Sequence, residues 1–287
     1  MKPRISAVIN TLNEEKNLPF ALRSVQPWVD EIVVVDMYST DRTVEIAREF
    51  GAQVYLHRGP GFNYPPRAFA VNQASSEWIL VVDADELIPV ALSRDLRRMA
   101  DSGEADVALL PRINYLLGAV IRYTAWGARQ DAQVRFFKKG FVVGSSVAHR
   151  DFKPVEGARI KVLSYRGDNA IVHFNYLDSQ QFIERLNRYT SIEANQAFER
   201  GERRTPVRAL LRGVKEFGDR YIRAGGFRDG WRGFYLSLFM SFYRIVTAAK
   251  LQELTALGRR ELIESRYRQE AEEILKAYGE SHSPAAS

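Results

Sequence analysis

Three short polar clusters each follow a run of apolar residues: Asn10-Thr11-Leu12-Asn13-Glu14, Asp36 with Ser39-Thr40-Asp41, and Asp83-Ala84-Asp85-Glu86. Asp83 and Asp85 are separated by one residue where the chain must turn. Two carboxylates so placed can reach one hard cation that also bridges phosphate oxygens, which would be Mg or Mn. The plainer alternative is that they solvate a loop and cap the next helix. Three such clusters in succession favour a site, because a turn needs only one polar residue to be satisfied. The chain has no cysteine, so disulfides, thiolate zinc sites and a cysteine nucleophile are excluded, and any metal must sit on oxygen or imidazole.

The elements that would carry these clusters alternate. Ile5 to Asn10 reads as a buried strand, and residues 14–25 read as a helix with Leu18, Leu22 and Val25 on one face, Asn13 or Thr11 as its cap and Pro19 near its start. Ile32 to Asp36 is a second strand. Ser39-Thr40-Asp41 then caps a helix that carries Val44, Ala47 and Phe50 and ends at Gly51. Strands at 53–56 and 78–82 flank a helix through 68–74. Such alternation implies right-handed crossovers, a mostly parallel sheet flanked by helices and hence an α/β fold, whose ligands bind at the carboxyl ends of the strands. After Pro111 the rhythm changes. Strands at 133–137 and 171–174 stand in irregular, glycine-containing sequence that reads as an acceptor-side region, and from Ser179 the chain reads as helical, interrupted at Gly225-Gly226. The expected division is a catalytic domain over 1–177, a C-terminal helical extension over 178–280 and a disordered tail over 281–287.

The 287 residues are 46% hydrophobic and 26% charged, ordinary globular values that argue against a mainly disordered or fibrous protein. No signal peptide is expected at Met1-Lys2-Pro3-Arg4, and no uncharged apolar stretch approaches the ~18 residues of a spanning helix. Residues 200–232 hold ten basic and four acidic side chains, a surplus equal to the whole net charge of +6. That segment reads either as a phosphate-binding patch or as a solvated helix face. The stretch 231–250, with Phe234, Tyr235, Leu238, Phe239, Phe242 and Tyr243, is too apolar for a free surface helix. Core burial, a homo-oligomer contact and insertion into a membrane interface all fit it.

In order and wording the clusters resemble the family 2 glycosyltransferases of the GT-A fold, a Rossmann-like architecture, and especially the subgroup acting in lipopolysaccharide core biosynthesis. Thr11-Leu12-Asn13-Glu14-Glu15, Val34-Val35-Asp36 with Ser39-Thr40-Asp41-Arg42-Thr43, and Val82-Asp83-Ala84-Asp85-Glu86 carry the resemblance. Arg135-Phe136-Phe137-Lys138, His149, His173, and Arg188-Tyr189-Thr190 with Glu193-Ala194 echo it more weakly, and together the matches run over about residues 5–250. The resemblance implies an inverting, metal-dependent hexosyl transfer from a nucleotide-sugar donor, a UDP-sugar first among them, to a glycan or glycolipid hydroxyl. It implies that Thr11 and Glu14 lie along the nucleoside with Asn13 in the same loop, that Asp36 accepts from the base, and that Asp83 faces ribose or donor sugar. Asp85 would hold the metal with Asp83 and His173, and Arg67 would lie near the diphosphate, although Ala68 stands where Asn is expected. His173 is equally readable as a buried hydrogen-bonding residue, and Arg67 as a surface helix residue. Where family members show His-Glu this chain has His149-Arg150, so the base falls to Asp151 or Asp131, with Glu156 more remote. An anionic membrane surface is an expected partner, with the enzyme peripheral at the cytoplasmic face of the cell membrane, and nucleic acid is not expected.

Rival readings fare less well. The loop 11–17 has no glycine, which excludes a dinucleotide-binding turn and disfavours a nucleotidyltransferase. A haloacid-dehalogenase-type phosphohydrolase would use Asp83 and Asp85 as nucleophile and acid, but that motif belongs to a first strand. A non-enzymatic membrane- or nucleic-acid-binding module would explain 200–250 and leave three acidic strand ends unexplained.

Overall fold

A computed structural model of the chain describes residues 2–58, 67–144 and 152–280. Its centre is a ten-stranded sheet that begins as the sequence rhythm requires. β1 (Ile5–Thr11) lies between β2 (Glu31–Asp36) and β4 (Trp78–Asp83), all parallel, with β3 (Gln53–Leu56) outside β2. These strands are apolar on both faces because helices cover both. On one face α1 (Leu18–Val25) and α4 (Val90–Ser102) pack Leu18, Leu22, Leu92 and Leu96 against Ile5, Ile9 and Leu80; on the other α3 (Arg67–Gln73) packs Ala70 and Val71 against Val8, Val33 and Val81. α2 (Thr43–Glu49) completes the crossover from β2 to β3.

Two expectations shift locally. The first helix starts at Leu18 rather than near Glu14, because residues 14–17 close a turn through Asn17 N–H and Leu18 N–H donating to the Glu14 carbonyl. The second starts at Thr43, since Ser39 is drawn away to Asp36 and Asp41 alone takes the capping bonds from Thr43.

The change of rhythm after Pro111 is not a change of element. β6 (Val107–Leu116) runs straight through it, antiparallel to β8 (Ala132–Lys138) and parallel to β12 (Ile171–Tyr176). The ladder with β8 ends at the Pro111 pair and the ladder with β12 begins at Arg112. The one residue without an N–H therefore falls at the changeover of partners. β5 (Glu86–Leu87) pairs antiparallel with β12 and closes that edge, while β7 (Ala119–Val120) and β11 (Ile160–Val162) add to β6. β9 (Val142–Gly144) and β10 (Phe152–Pro154) form a separate two-stranded ladder.

The chain divides into two compact units, one of 1–185 with 217–239 and one of 186–216 with the chain from Met240 on. The first contains the sheet. It also contains a π-helical turn (Gly218–Arg223), a 3-10 turn (Gly226–Asp229) and the start of α7 (Gly230–Leu257). Gly233 of α7 lies so close to the Gly226 carbonyl that a Cβ there would sit 1.8 Å from the oxygen, and a Cβ on Gly226 would sit 2.7 Å from the Arg220 carbonyl oxygen, which fixes both positions as glycine. The second unit draws on α5 (Ser179–Glu199), α6 (Pro206–Phe217), the rest of α7 and α8 (Arg260–Glu280), around Ala194, Ala197 and Leu251. The Lys250 ammonium donates there to the Asn187 carbonyl, Asn187 Oδ1, Thr190 Oγ1 and Ser191 Oγ. Among the described residues no helix is long and apolar enough to cross a membrane. The tail 281–287 lies outside the described residues.

Candidate active site

Strand register brings the three clusters together. Thr11 pairs across the sheet with Asp36, and Asn10 with Asp83, so the loops after β1, β2 and β4 leave the sheet side by side at its carboxyl edge. Asp36 is fully buried and accepts three bonds from within: Oδ1 accepts from Ser39 N–H at 2.8 Å, and Oδ2 accepts from Thr11 Oγ1 at 3.0 Å and from Ser39 Oγ. Asn13, in the left-handed region at φ 56°, donates its N–H to Ser39 Oγ and accepts at Oδ1 from Thr40 N–H, both at 2.8 Å. Asparagine tolerates that conformation because its short side chain bonds locally. Glu14 N–H donates to Thr43 Oγ1 and Glu15 N–H to Asp41. The loops after β1 and β2 are thus one laced unit. Burial pushes the Glu14 carboxyl up, a bond from Asn17 opposes this, and the nearby Asp85 charge adds to the rise.

The third loop is built on buried charge. Asp83 accepts from Arg67 at Oδ1 and from Arg135 at Oδ2, the latter at 2.8 Å. Burial would raise its pKa; the guanidiniums of Arg135 and Arg67, followed by His173, outweigh this and hold the carboxyl well below the usual range. Arg135 is only 2% exposed, and Arg67 begins α3. Glu86, wholly buried, accepts the Asp83 N–H at 2.9 Å and faces Arg112 at 3.3 Å and Arg135 at 3.6 Å. Arg112 reaches on to Asp131 Oδ2 at 2.9 Å.

Asp131 is therefore not a free carboxylate at a strand start. Its Oδ2 also accepts from Asn114 Nδ2 at 2.7 Å and its Oδ1 from Gln133. The structure buries it as the anchor of Arg112 and Asn114. Asp151 and His149 lie outside the described residues, and Glu156, the more remote candidate for the base, is an exposed turn residue after β10.

Asn114 links this network to the remaining site residues. Its Nδ2 donates to Asp131 and to the Trp126 carbonyl, both pure acceptors, so Oδ1 is the atom facing His173 Nδ1 at 2.8 Å. His173 Nδ1 must then carry the proton, and the lone pair of a neutral ring lies on Nε2. Nε2 stands 3.5 Å from Asp85 Oδ1. Of the two carboxylates in Asp83-Ala84-Asp85, the first is matched by two guanidiniums and the second faces the Nε2 edge of an imidazole.

This donor set fits a divalent cation as a platform of Asp85 and His173, with Glu14 close by, because Mg and Mn commonly take one or two protein ligands and complete their shell with water and phosphate oxygens. Among the described residues no three His, Asp or Glu side chains gather into a preformed cage.

Arg112 and Asn114 are site builders that the sequence does not single out, and Glu86, part of the third cluster, takes a role beside Arg112 and Arg135 that the sequence does not assign. The signal available was two polar residues, Arg112 and Asn114, in an otherwise apolar strand.

The family model of glycosyl transferase family 2 matches residues 6–153. A lipopolysaccharide core biosynthesis glycosyltransferase, LpsC of Rhizobium meliloti, is 29% identical over 266 residues, which cover 89% of this chain and 94% of that one. An uncharacterized glycosyltransferase of Rickettsia typhi is 26% identical over 273 residues, 92% of each chain. Among solved structures, TarS of S. aureus aligns with a TM-score of 0.43 at 20% identity, over 79% of this chain and 46% of that one, so this chain spans less than half of that protein's length.

The asparagine relay has a direct spectroscopic consequence. Asn114→Leu removes the acceptor at His173 Nδ1 while keeping side-chain volume, and the neutral imidazole should change from the single Nδ1-H tautomer to a mixture. Nitrogen-15 shifts of the ring in labelled protein report this. An unchanged single tautomer would show that Asn114 does not set it.

Proposed function

The chain belongs to glycosyl transferase family 2 and is a glycosyltransferase, and from that premise we propose that it moves a sugar from a nucleotide diphosphate sugar to a glycan hydroxyl with inversion at the anomeric carbon. A UDP-sugar is the donor proposed first, and a lipid-linked glycan of the lipopolysaccharide-core kind the acceptor, the latter supported by the relationship to LpsC. The observation that carries the reading is the division of labour at the third loop, where Asp83 is charge-balanced by Arg67 and Arg135 and Asp85 faces His173 Nε2. Family membership sets aside the phosphohydrolase and the non-enzymatic module.

In this reading the laced loops of Thr11, Asn13, Glu14 and Asp36 receive the nucleoside. Asp83, held rigid by its guanidiniums, presents remaining lone pairs to hydroxyls of ribose or donor sugar, and Arg67 lies toward the diphosphate. Asp85 and His173 would hold Mg or Mn, with Asp83 alongside. When bound, such a cation neutralises charge developing on the leaving diphosphate, worth several kcal/mol or ~10²-fold or more in rate. The acceptor oxygen attacks the anomeric carbon as the bond to the diphosphate oxygen breaks, and a carboxylate takes the hydroxyl proton. Asp151 is proposed for that carboxylate ahead of Asp131, because Asp131 is committed to Arg112 and Asn114.

We further propose peripheral attachment to the anionic cytoplasmic face of the cell membrane. Support comes from α6, which turns Ala209 and Gly213 inward and leaves Val207, Leu210, Leu211 and Val214 exposed, with Arg208 and Arg212 also exposed. Basic side chains near an anionic leaflet contribute ~1 kcal/mol each, and an inserted apolar stripe adds to that.

Asp85→Ala should abolish both turnover and metal-dependent nucleotide-sugar binding measured by calorimetry; full activity of that variant, or of the wild type in excess EDTA, removes the metal from the reading. Asp151→Asn should leave nucleotide affinity nearly unchanged and slow transfer at saturating donor by ~10²- to 10⁴-fold. Wild-type rates for Asp151→Asn, with a comparable loss in Asp131→Asn, would move the base to Asp131. Co-sedimentation should require vesicles containing phosphatidylserine, weaken in high salt and drop in Arg208→Glu/Arg212→Glu. Equal binding to phosphatidylcholine vesicles, or none to either, would refute electrostatic attachment.

A further inference from the structure

The helix α8 is 21 residues long, and from Arg260 to Lys276 every residue is exposed except Ile263, which is half-buried. A lone helix of that length is marginal in water, because helices in proteins draw most of their stability from packing an apolar face. α8 has such a face. Ile263, Tyr267, Ala271, Ile274 and Leu275 follow one another at steps of four, four, three and one residues, which places them in one stripe about 120° wide. Tyr267 is 73% exposed, Ile274 56% and Leu275 65%, so the stripe meets solvent.

The charges that flank the stripe indicate what covers it. Arg266 and Glu273 border one side, Arg268 and Glu272 the other. Among the described residues the ion pair within α8 joins Arg260 to Glu264 at 2.8 Å, which leaves those four without one. The flanks are therefore basic in the first half of the stripe and acidic in the second. A second α8 laid antiparallel, with a two-fold axis at Gln269-Glu270, brings Arg266 opposite Glu273 and Arg268 opposite Glu272, each pair occurring twice by symmetry. The same axis sets Ile263 beside Leu275 and Tyr267 beside Ala271, because the apolar stripe is centred on the same residues. A parallel pair would set arginine on arginine and glutamate on glutamate. A lipid surface fits less well: residues 260–276 hold four basic and five acidic side chains, whereas helices that lie on anionic membranes carry a polar face rich in Lys and Arg.

We propose that α8 is a self-association surface, which pairs antiparallel with α8 of a second copy of this chain. The apolar stripe supplies the affinity, and the flanking charges set register and direction. The surface is formed within α8 and is independent of the transferase reading.

Sedimentation velocity of the full chain over a micromolar concentration series should show a monomer–dimer equilibrium. Tyr267→Asp/Ile274→Asp should weaken the dimer ~100-fold or more, since both side chains lose apolar burial. Both are exposed in the single chain, so near-ultraviolet circular dichroism of the variant should be unchanged. Arg266→Glu/Arg268→Glu makes the flanks wholly acidic, and Glu272→Arg/Glu273→Arg makes them wholly basic. Each variant alone should dimerise ~10-fold or more weakly, and an equimolar mixture should recover the dimer as a heterodimer. The chain has no cysteine of its own, so direction is read by oxidising a mixture of Ile263→Cys and Leu275→Cys chains, which should give the mixed disulfide in preference to either homodisulfide. A wild type monomeric throughout the series, a dimer untouched by Tyr267→Asp/Ile274→Asp, no association in the charge-reversed mixture, or homodisulfides in place of the mixed one overturns the proposal. A wild type that stays monomeric and binds vesicles, with that binding lost in Tyr267→Asp/Ile274→Asp, overturns it in favour of a membrane.

Discussion

A buried ion is tolerated only when every charge has a partner, and at the carboxyl edge of this sheet three buried ionic side chains, Glu86, Asp131 and Arg135, satisfy that condition together with the half-buried Asp83 and Arg112. Asp83, Glu86, Arg112, Asp131 and Arg135 pass charge from β4 through β5, β6 and β8 in an unbroken series. Removing one member would leave an uncompensated buried charge, the costly half of the asymmetry that governs such pairs. The strands must therefore meet in one register. The antiparallel β8 carries Arg135 to Asp83, and the parallel β12 brings His173 opposite Asn114.

That constraint separates two neighbouring carboxylates chemically. Asp83 and Asp85 differ little in sequence, but Asp83 lies within reach of two guanidiniums whereas Asp85 lies past the end of β4, against the Nε2 edge of an imidazole whose Nδ1 faces Asn114. Orientation of the ring is a property of Asn114, whose own amide is oriented by Asp131. A carboxylate considered as a base from its position before β8 thus acts, in the folded chain, two hydrogen bonds upstream of His173.

What the sequence disclosed follows from the range of the interactions involved. β1, β2 and β4 are written in local patterns, runs of Val, Ile and Leu ending in a polar residue, and their parallel pairing follows from the crossover helices. The Asp36 and Asp83-Ala84-Asp85 clusters are legible for the same reason. Arg112 and Asn114 are not, because their partners lie 12 to 59 residues away and no local period encodes the match. Pro111 misled because a proline usually argues against a central strand, and only the partner list of β6 shows that it falls where one ladder hands over to the next. In α6 no local pattern tells which side faces protein: Gly213 allows a close approach to Ser241 and Ile245, so the small residues Ala209 and Gly213 are buried and the large apolar ones are left outside.

The loop clamped by Asp229 shows how the fold places strain where it is useful. Thr124 and Ala125 are consecutive residues with a Cβ in left-handed conformation, at φ 60° and 61°, and such residues cost of order 1–3 kcal/mol each. The Asp229 carboxylate offsets this with three charge-assisted bonds, accepted from Arg122 N–H, Tyr123 N–H and Thr124 Oγ1. The clamped loop then delivers two groups that no regular strand could present together, the Trp126 carbonyl toward Asn114 and the Trp126 ring beneath Arg220. Loosening the clamp would therefore disturb the imidazole and the stacked guanidinium at once, which couples the His173 side of the site to the π-helical turn carrying Arg220 through backbone geometry alone.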